Sequence, residues 1–294
     1  MVDFIRLVYD DKVDIEEFIL LKENFEKLYT ILEYHSGEIL YPYRASLENM
    51  DIVINDKVVY LKNSIHKLHN LLKGNGEQNY NDFTYSQLCK TIDFLQSKLI
   101  GIDSTKITML EFGLNIYTTM PAEIIIRENI IGHKEKGYSH NLKFRGKGEY
   151  LQFDYNDFYI KVYDKAKQNN LNSNIFRFEV KFIRKRAFNK LGIYTLSDLR
   201  VIDNLNRLFG YLLGRFDEMV IVDDFTHLSD DNKNTLINYL SKKYWIDIDK
   251  QYSRQTKLKY KSKFKAFLEE HDLLKTKNEL RKELINKYTF LINN

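Results

Sequence analysis

A chain of 294 residues with one cysteine, Cys89, and a formal net charge of +4 can bury a sizeable core in one or two domains. The lone cysteine excludes an internal disulfide framework and a Cys-based zinc site. No run of eighteen apolar residues occurs, and the N-terminus carries early charges instead of a signal-peptide pattern, so the sequence reads as a soluble protein of the cytoplasm.

Taken in chain order, Phe4 to Tyr9 reads as a strand and Ile15 to Tyr34 as an amphipathic helix ending near Ser36-Gly37. Strand-like runs follow at Ile39 to Ser46 and Asp51 to Ile65, the second folded into a hairpin at Asn55-Asp56. A polar loop with Gly74 and Gly76 leads to a helix from Asp82, with Leu88, Ile92 and Leu95 at helical spacing. Ile107 to Tyr117 is a strand, and Pro121 suits the first position of a helix over Ala122 to Ile131. A second strand-rich block begins at His140 and includes Tyr150 to Asp164 and Ile175 to Ile183. Beyond Ala187 helices are expected over Thr195 to Asn206, Asn232 to Lys243, Ser253 to Glu270 and Lys277 to Leu291. The fold class is α+β, with two successive strand-and-helix blocks that read as related subdomains. A core over residues 1–195 and a basic helical module over 196–294 are expected, without a flexible linker.

Charge is segregated. Lys143 to Lys190 holds twelve basic against five acidic residues, and Ser241 to Asn294 fourteen against seven, a distribution suited to backbone-phosphate contacts or to a solvated lysine-rich surface. In Tyr150 to Lys165, Tyr155, Tyr159 and Tyr163 share a strand parity with Lys161 and Lys165. Phenols beside ammonium groups and carboxylates are suited to attack on a phosphodiester. Leu110 to Asn115 sets Glu111, Gly113 and Asn115 on one strand face, and Arg177 to Lys181 does the same for Arg177, Glu179 and Lys181. A mid-strand carboxylate is costly to bury unless paired or metal-bound. Glu111 and Glu179 are therefore candidate ligands for Mg²⁺ or Mn²⁺, or Glu179 is an ion-pair partner of Arg177 or Lys181. His66 and His69 would share a face only on a helix, and they do not form the H-E-x-x-H zinc motif; His133 and His140 are weaker candidates. Neither a Walker A loop nor G-x-G-x-x-G is present, which argues against a nucleotide-hydrolysing core.

Four segments, in order, resemble rolling-circle replication initiators of the Rep_trans-like plasmid and filamentous-phage gene II-like types. S-I-H-K-L-H-N around His66 is similar to an S-L-H-K segment, and L-E-F-G-L-N resembles the acidic D-x-A-x-D strand, with Glu111 in the first acidic place and Asn115 replacing the second. K-V-Y-D-K is similar to R-I-Y-D-K, with Lys161 for arginine, and F-R-F-E-V-K resembles the R-x-E strand. The resemblance implies an HUH-related tyrosine endonuclease, although this chain has no H-U-H pair.

It further implies a nucleophile thirteen residues before Tyr163, which is Tyr150, with Tyr155 and Tyr159 as rivals. Lys161 and Lys165 would assist it, and a divalent metal, Mg²⁺ or Mn²⁺, would be held by Glu111 and Glu179 with His66 as a further ligand. Arg177, Lys181, Arg254, Lys257 and Lys261 would meet DNA. The activity implied is nicking of a plasmid or phage origin through a 5′-phosphotyrosine, leaving a 3′-OH primer and later religating. A host helicase and polymerase and a second copy of the chain are the implied partners. A non-catalytic origin-binding protein, or a relaxase or transposase with the same tyrosine chemistry, are the alternatives.

Overall fold

The computed structural model describes residues 1–134, 136–139 and 146–294. His140, Lys143 and the strand expected to begin at His140 lie outside them. The first half holds β1 (Val2–Val8), α1 (Val13–Leu20), β2 (Tyr29–Leu32), β3 (Ile39–Leu47), β4 (Met50–Ile54), β5 (Val59–Ser64), α2 (Ile65–Leu72) and α3 (Tyr85–Lys98). The second holds β6 (Lys106–Tyr117), α4 (Ala122–Ile124) running into a π-helical turn (Ile125–Asn129), β7 (Ile130–His133), β8 (Tyr150–Asp154), β9 (Phe158–Asp164), α5 (Lys165–Gln168), β10 (Ile175–Phe182) and α6 (Lys185–Asn189). The chain closes with α7 (Ile202–Asp217), β11 (Met219–Ile221), α8 (Asp230–Leu240), α9 (Lys242–Gln251), α10 (Arg254–Glu270) and α11 (Lys275–Asn293).

Among the described residues, nine strands form one antiparallel sheet in the order β2-β3-β4-β5-β1-β6-β10-β9-β8. Its two halves repeat one plan. In each, a first strand (β1 or β6) is followed by a meander, of four strands (β2 to β5) in the first half and three (β8 to β10) in the second, whose last member (β5 or β10) returns beside it. A helix comes next (α2 or α6), and β1 and β6 meet at the centre. This α+β architecture, with related halves and helices towards the C-terminus, agrees with the class expected from sequence.

Strict alternation makes the second half two-faced. Leu110, Phe112, Leu114 and Ile116 of β6 and Phe176, Phe178, Val180 and Phe182 of β10 are buried on one side. That side is covered by α7, whose Leu205, Leu208, Leu212 and Phe216 recur at helical spacing, and by Leu280, Leu284, Tyr288 and Leu291 of α11. Phe216 meets Phe178 edge-on at 5.3 Å between ring centroids, and Tyr288 stacks on Phe209 at 4.0 Å. Thus α7 and α11 belong to the sheet's core. Val222, Leu228, Leu236, Leu268 and Leu273 form a second, smaller cluster under α8 and α10.

Several boundaries differ from the sequence reading. The helix expected over Ile15 to Tyr34 ends at Leu20, and Tyr29–Leu32 is an edge strand paired with β3. Hairpin pairing with β3 overrides helical periodicity there, because ladder hydrogen bonds satisfy backbone that a frayed helix end would expose. The run from Tyr150 to Asp164 breaks at Tyr155-Asn156-Asp157, so β8 and β9 are a hairpin. Pro121 is the N-cap of α4, and the expected helix stops at Asn129 before β7. The helix expected over Thr195 to Asn206 is a short 3₁₀ turn followed by α7, and α9 was not anticipated as a separate element.

Candidate functional site

Register assembles the site on the second face of the sheet. Tyr150, Tyr163, Arg177 and Asn115 form one cross-strand row; Gln152, Lys161, Glu179 and Gly113 form the next; Asp154, Tyr159, Lys181 and Glu111 form the third. Gly113 is required by the middle row: a Cβ there would lie 2.5 Å from Glu179 Cβ. Asp3 joins from β1 because four residues of β1, Val2 to Ile5, lie opposite three of β6, Phe112 to Leu110. This bulge turns Val2 and Ile5 into the core and leaves Asp3 facing Glu111 and Glu179.

The resulting cluster is largely buried, and each of its carboxylates is paired. Lys161 Nζ bridges Glu111 Oε1 at 3.0 Å and Glu179 Oε1 at 2.7 Å. Glu111 Oε1 also accepts from Lys181 at 2.8 Å. Arg177 donates from Nε to Glu179 Oε2 at 2.7 Å, from Nη1 to Asn115 Oδ1 at 2.9 Å and from Nη2 to Asp3 Oδ2 at 3.0 Å. Ser64 Oγ and Asn79 Nδ2 donate to the two oxygens of Asp3. Lys165, at the start of α5, reaches back to Asn79 Oδ1 at 2.8 Å. Glu179 is 1 % exposed and Arg177 2 %, and such charges survive burial only when paired and fully hydrogen-bonded.

Burial opposes ionisation of Glu179, and the charges of Lys161 and Arg177 outweigh it, holding the carboxyl far below the usual carboxylate range. Burial likewise opposes the Asp3 carboxylate, and Arg177 overcomes it. For Lys161, burial is outweighed by Glu179 and Glu111, which raise it well above an ordinary lysine. Burial and then repulsion from Arg177 lower Lys165 to about 8.

Tyr150 sits on β8, the outermost strand of this edge. Its ring stacks on Tyr163 at 5.7 Å, and its hydroxyl donates to Gln152 Oε1 at 2.7 Å. Burial raises its pKa above the ordinary phenol value, with the charge of Lys161 acting in the opposite direction. His66 lies on α2, stacked on Phe83 at 4.8 Å, with Nε2 against Asn81 Oδ1 at 2.8 Å. An amide oxygen accepts, so Nε2 carries the hydrogen. Burial lowers His66 to about 3. Since α2 is a helix, His66 and His69 do share a face.

Tyr150, Lys161, Lys165, Glu111, Glu179, Arg177, Lys181 and His66 therefore gather around one sheet face, and Arg177 exposes almost no surface there. Arg254, Lys257 and Lys261 are elsewhere, on α10, where Lys257 pairs with Asp249 at 2.6 Å. Tyr155 leaves the face because the hairpin turns at it. Its hydroxyl lies 2.5 Å from His133 Nδ1, and His133 Nε2 lies 3.1 Å from the carbonyl of Arg215. That carbonyl fixes the hydrogen on Nε2 and makes Nδ1 the acceptor for the phenol.

Asp3 escaped the sequence reading, which began the strand at Phe4. The signal was present: an acid between apolar Val2 and Phe4, the same pattern that singled out Glu111. Asp3, Glu111 and Glu179 offer oxygens within 4.8 Å of one another, a donor set suited to Mg²⁺ or Mn²⁺. The position between Glu111 and Glu179 is held by the Lys161 ammonium, so an ion there has to displace it.

No protein-family model matches this chain, and no curated protein matches it in sequence. A solved structure of a rolling circle replication initiator protein from Geobacillus stearothermophilus is similar, with a TM-score of 0.40 and 13 % identity over 78 % of this chain and 89 % of that one. Among the described residues no helix is long and apolar enough to cross a membrane.

Proposed function

We propose that this protein is a DNA strand-nicking and strand-closing enzyme that initiates rolling-circle replication, with Tyr150 as nucleophile. The observation that carries the reading is Tyr150 on an outer strand, stacked on Tyr163 beside the Lys161–Glu179–Arg177 array. Tyr150 Oη attacks phosphorus, the new Oη–P bond forms as P–O3′ breaks, and the phenolic proton ends on the departing 3′ oxygen. The 5′-phosphotyrosine conserves the ester, so the reverse attack by a 3′-OH rejoins the strand without a nucleotide. Lys161 and Lys165 supply positive charge for the scissile phosphate. A divalent ion held by Asp3, Glu111 and Glu179 would polarise that phosphate. Arg254, Lys257 and Lys261 on α10 grip the duplex backbone, in a manner weakened by salt.

The test is incubation with Mn²⁺ and a randomised single-stranded DNA library carrying a label downstream of the randomised segment, followed by denaturing electrophoresis. Wild type should become covalently labelled, and Tyr150→Phe should bind DNA without labelling. A second nucleophile has its own support: the Tyr155 hydroxyl already faces a hydrogen-bond acceptor, His133 Nδ1. Labelling lost in Tyr155→Phe and retained in Tyr150→Phe would move the chemistry to that pair. Salt-sensitive DNA binding with no labelling of wild type would leave a non-catalytic origin-binding protein.

A further inference from the structure

A cavity of about 920 Å³ lies between the β7–β11 ribbon and helices α8 to α11, and Lys261 of α10 is among its lining residues. Its volume falls within the usual range of small-ligand sites. Among the described residues, seven basic and three acidic side chains line it, and each of those acids already has a partner. Asp217 accepts from Arg281 at 2.7 and 3.2 Å, Glu218 pairs with Lys134 and Arg215 at 3.0 Å each, and Glu269 pairs with Lys265 at 3.4 Å. Lys242 and Lys277 have no carboxylate within ion-pairing distance among the described residues. Lys277 instead donates to the carbonyls of Asp217 and Met219 at 2.8 and 2.6 Å, and burial lowers it to about 8. Part of the lining is aromatic. Tyr239, Trp245 and Phe264 form that part, with Trp245 Nε1 anchored on the Tyr239 carbonyl at 2.7 Å.

We propose that this cavity binds a nucleobase bearing a phosphate, with the base against Trp245 and Phe264 and the phosphate at Lys242 and Lys277. Excess positive charge among the described residues selects an anion, and the aromatic faces of Tyr239, Trp245 and Phe264 select a planar group joined to it. A free nucleotide and one residue of a single strand share this chemistry. The inference does not depend on strand cleavage and stands if no labelling is ever seen.

Trp245 is the chain's single tryptophan, so intrinsic fluorescence of the full-length protein reads the site directly. Thymidine monophosphate should change it saturably, with inorganic phosphate competing but giving no change of its own. Saturation by oligothymidylate alone would assign the site to a strand, and saturation by both to a free nucleotide as well. Lys242→Glu places an acid in the first turn of α9, where the helix dipole favours it, so the fold should hold. It should raise Kd about tenfold, the loss of one charge-assisted contact; Lys277→Gln should do likewise. No saturable response to any nucleotide overturns the proposal. So does a Kd unmoved by both substitutions, or saturation by laurate at lower concentration than by nucleotide.

Discussion

Replacing Lys161 by methionine keeps most of the side-chain volume and removes the ammonium that bridges Glu111 and Glu179. Removing one partner of a buried ion pair costs about 3–5 kcal/mol, because the other charge is left uncompensated. Here Glu111 keeps Lys181 at 2.8 Å and Glu179 keeps Arg177 at 2.7 Å. The low end, about 3 kcal/mol, is therefore expected, a fall of several degrees in Tm for a chain of this size. On the proposed reading, the vacated position is also where a divalent ion would sit among the three carboxylates. A ligand at about a hundredfold its Kd stabilises the folded state by about 2.7 kcal/mol, so saturating Mn²⁺ should return most of the loss. Wild type should gain less, since the ion must first displace Lys161. The assay is urea unfolding of both chains with and without MnCl₂, with KCl at matched ionic strength as the control. Equal Mn²⁺ shifts in the two proteins would refute competition for the site. A loss below about 1 kcal/mol, the level of an exposed salt bridge, would refute the bridge itself.

Gly113→Ala should lower the urea midpoint by about 1–3 kcal/mol of stability, because the new methyl meets Glu179 Cβ at 2.5 Å and backbone at 2.9 Å. Covalent DNA labelling should fall with it; an unchanged midpoint would mean that β6 and β10 part freely. His133 is fully buried, and burial lowers it to about 4, with the hydrogen bond to the Arg215 carbonyl acting in the opposite direction. Between about 6.5 and about 4 the unfolded chain binds a proton that the folded chain refuses, so stability falls as pH falls through that window. The full loss is roughly 3 kcal/mol, and unfolding midpoints of His133→Gln should be flatter over the same range. Equal slopes in the two chains would place the His133 proton affinity near its unfolded value.

Much of the half that carries the buried charged cluster was readable from alternation alone. The parity of Leu110 to Asn115 and of Phe176 to Lys181 put Glu111, Gly113 and Asn115 on one face and Arg177, Glu179 and Lys181 on another. The register then made those two faces the same surface. Side-chain period along a strand is local geometry, so the sequence determined it. Which strands adjoin is a long-range choice, and only the tertiary structure decided it. Lys161 reaches Glu111 across fifty residues of chain because β9 and β6 flank β10. Asp3 enters because a bulge inserts one residue into β1, and Tyr155 leaves because the backbone turns at Asn156-Asp157. The sequence also left two fates open for a mid-strand acid, an ion pair or a metal. Burial of Glu179 between Lys161 and Arg177 settled its partners, since a carboxylate removed from water must find its counter-charge in whatever the fold brings within hydrogen-bond reach.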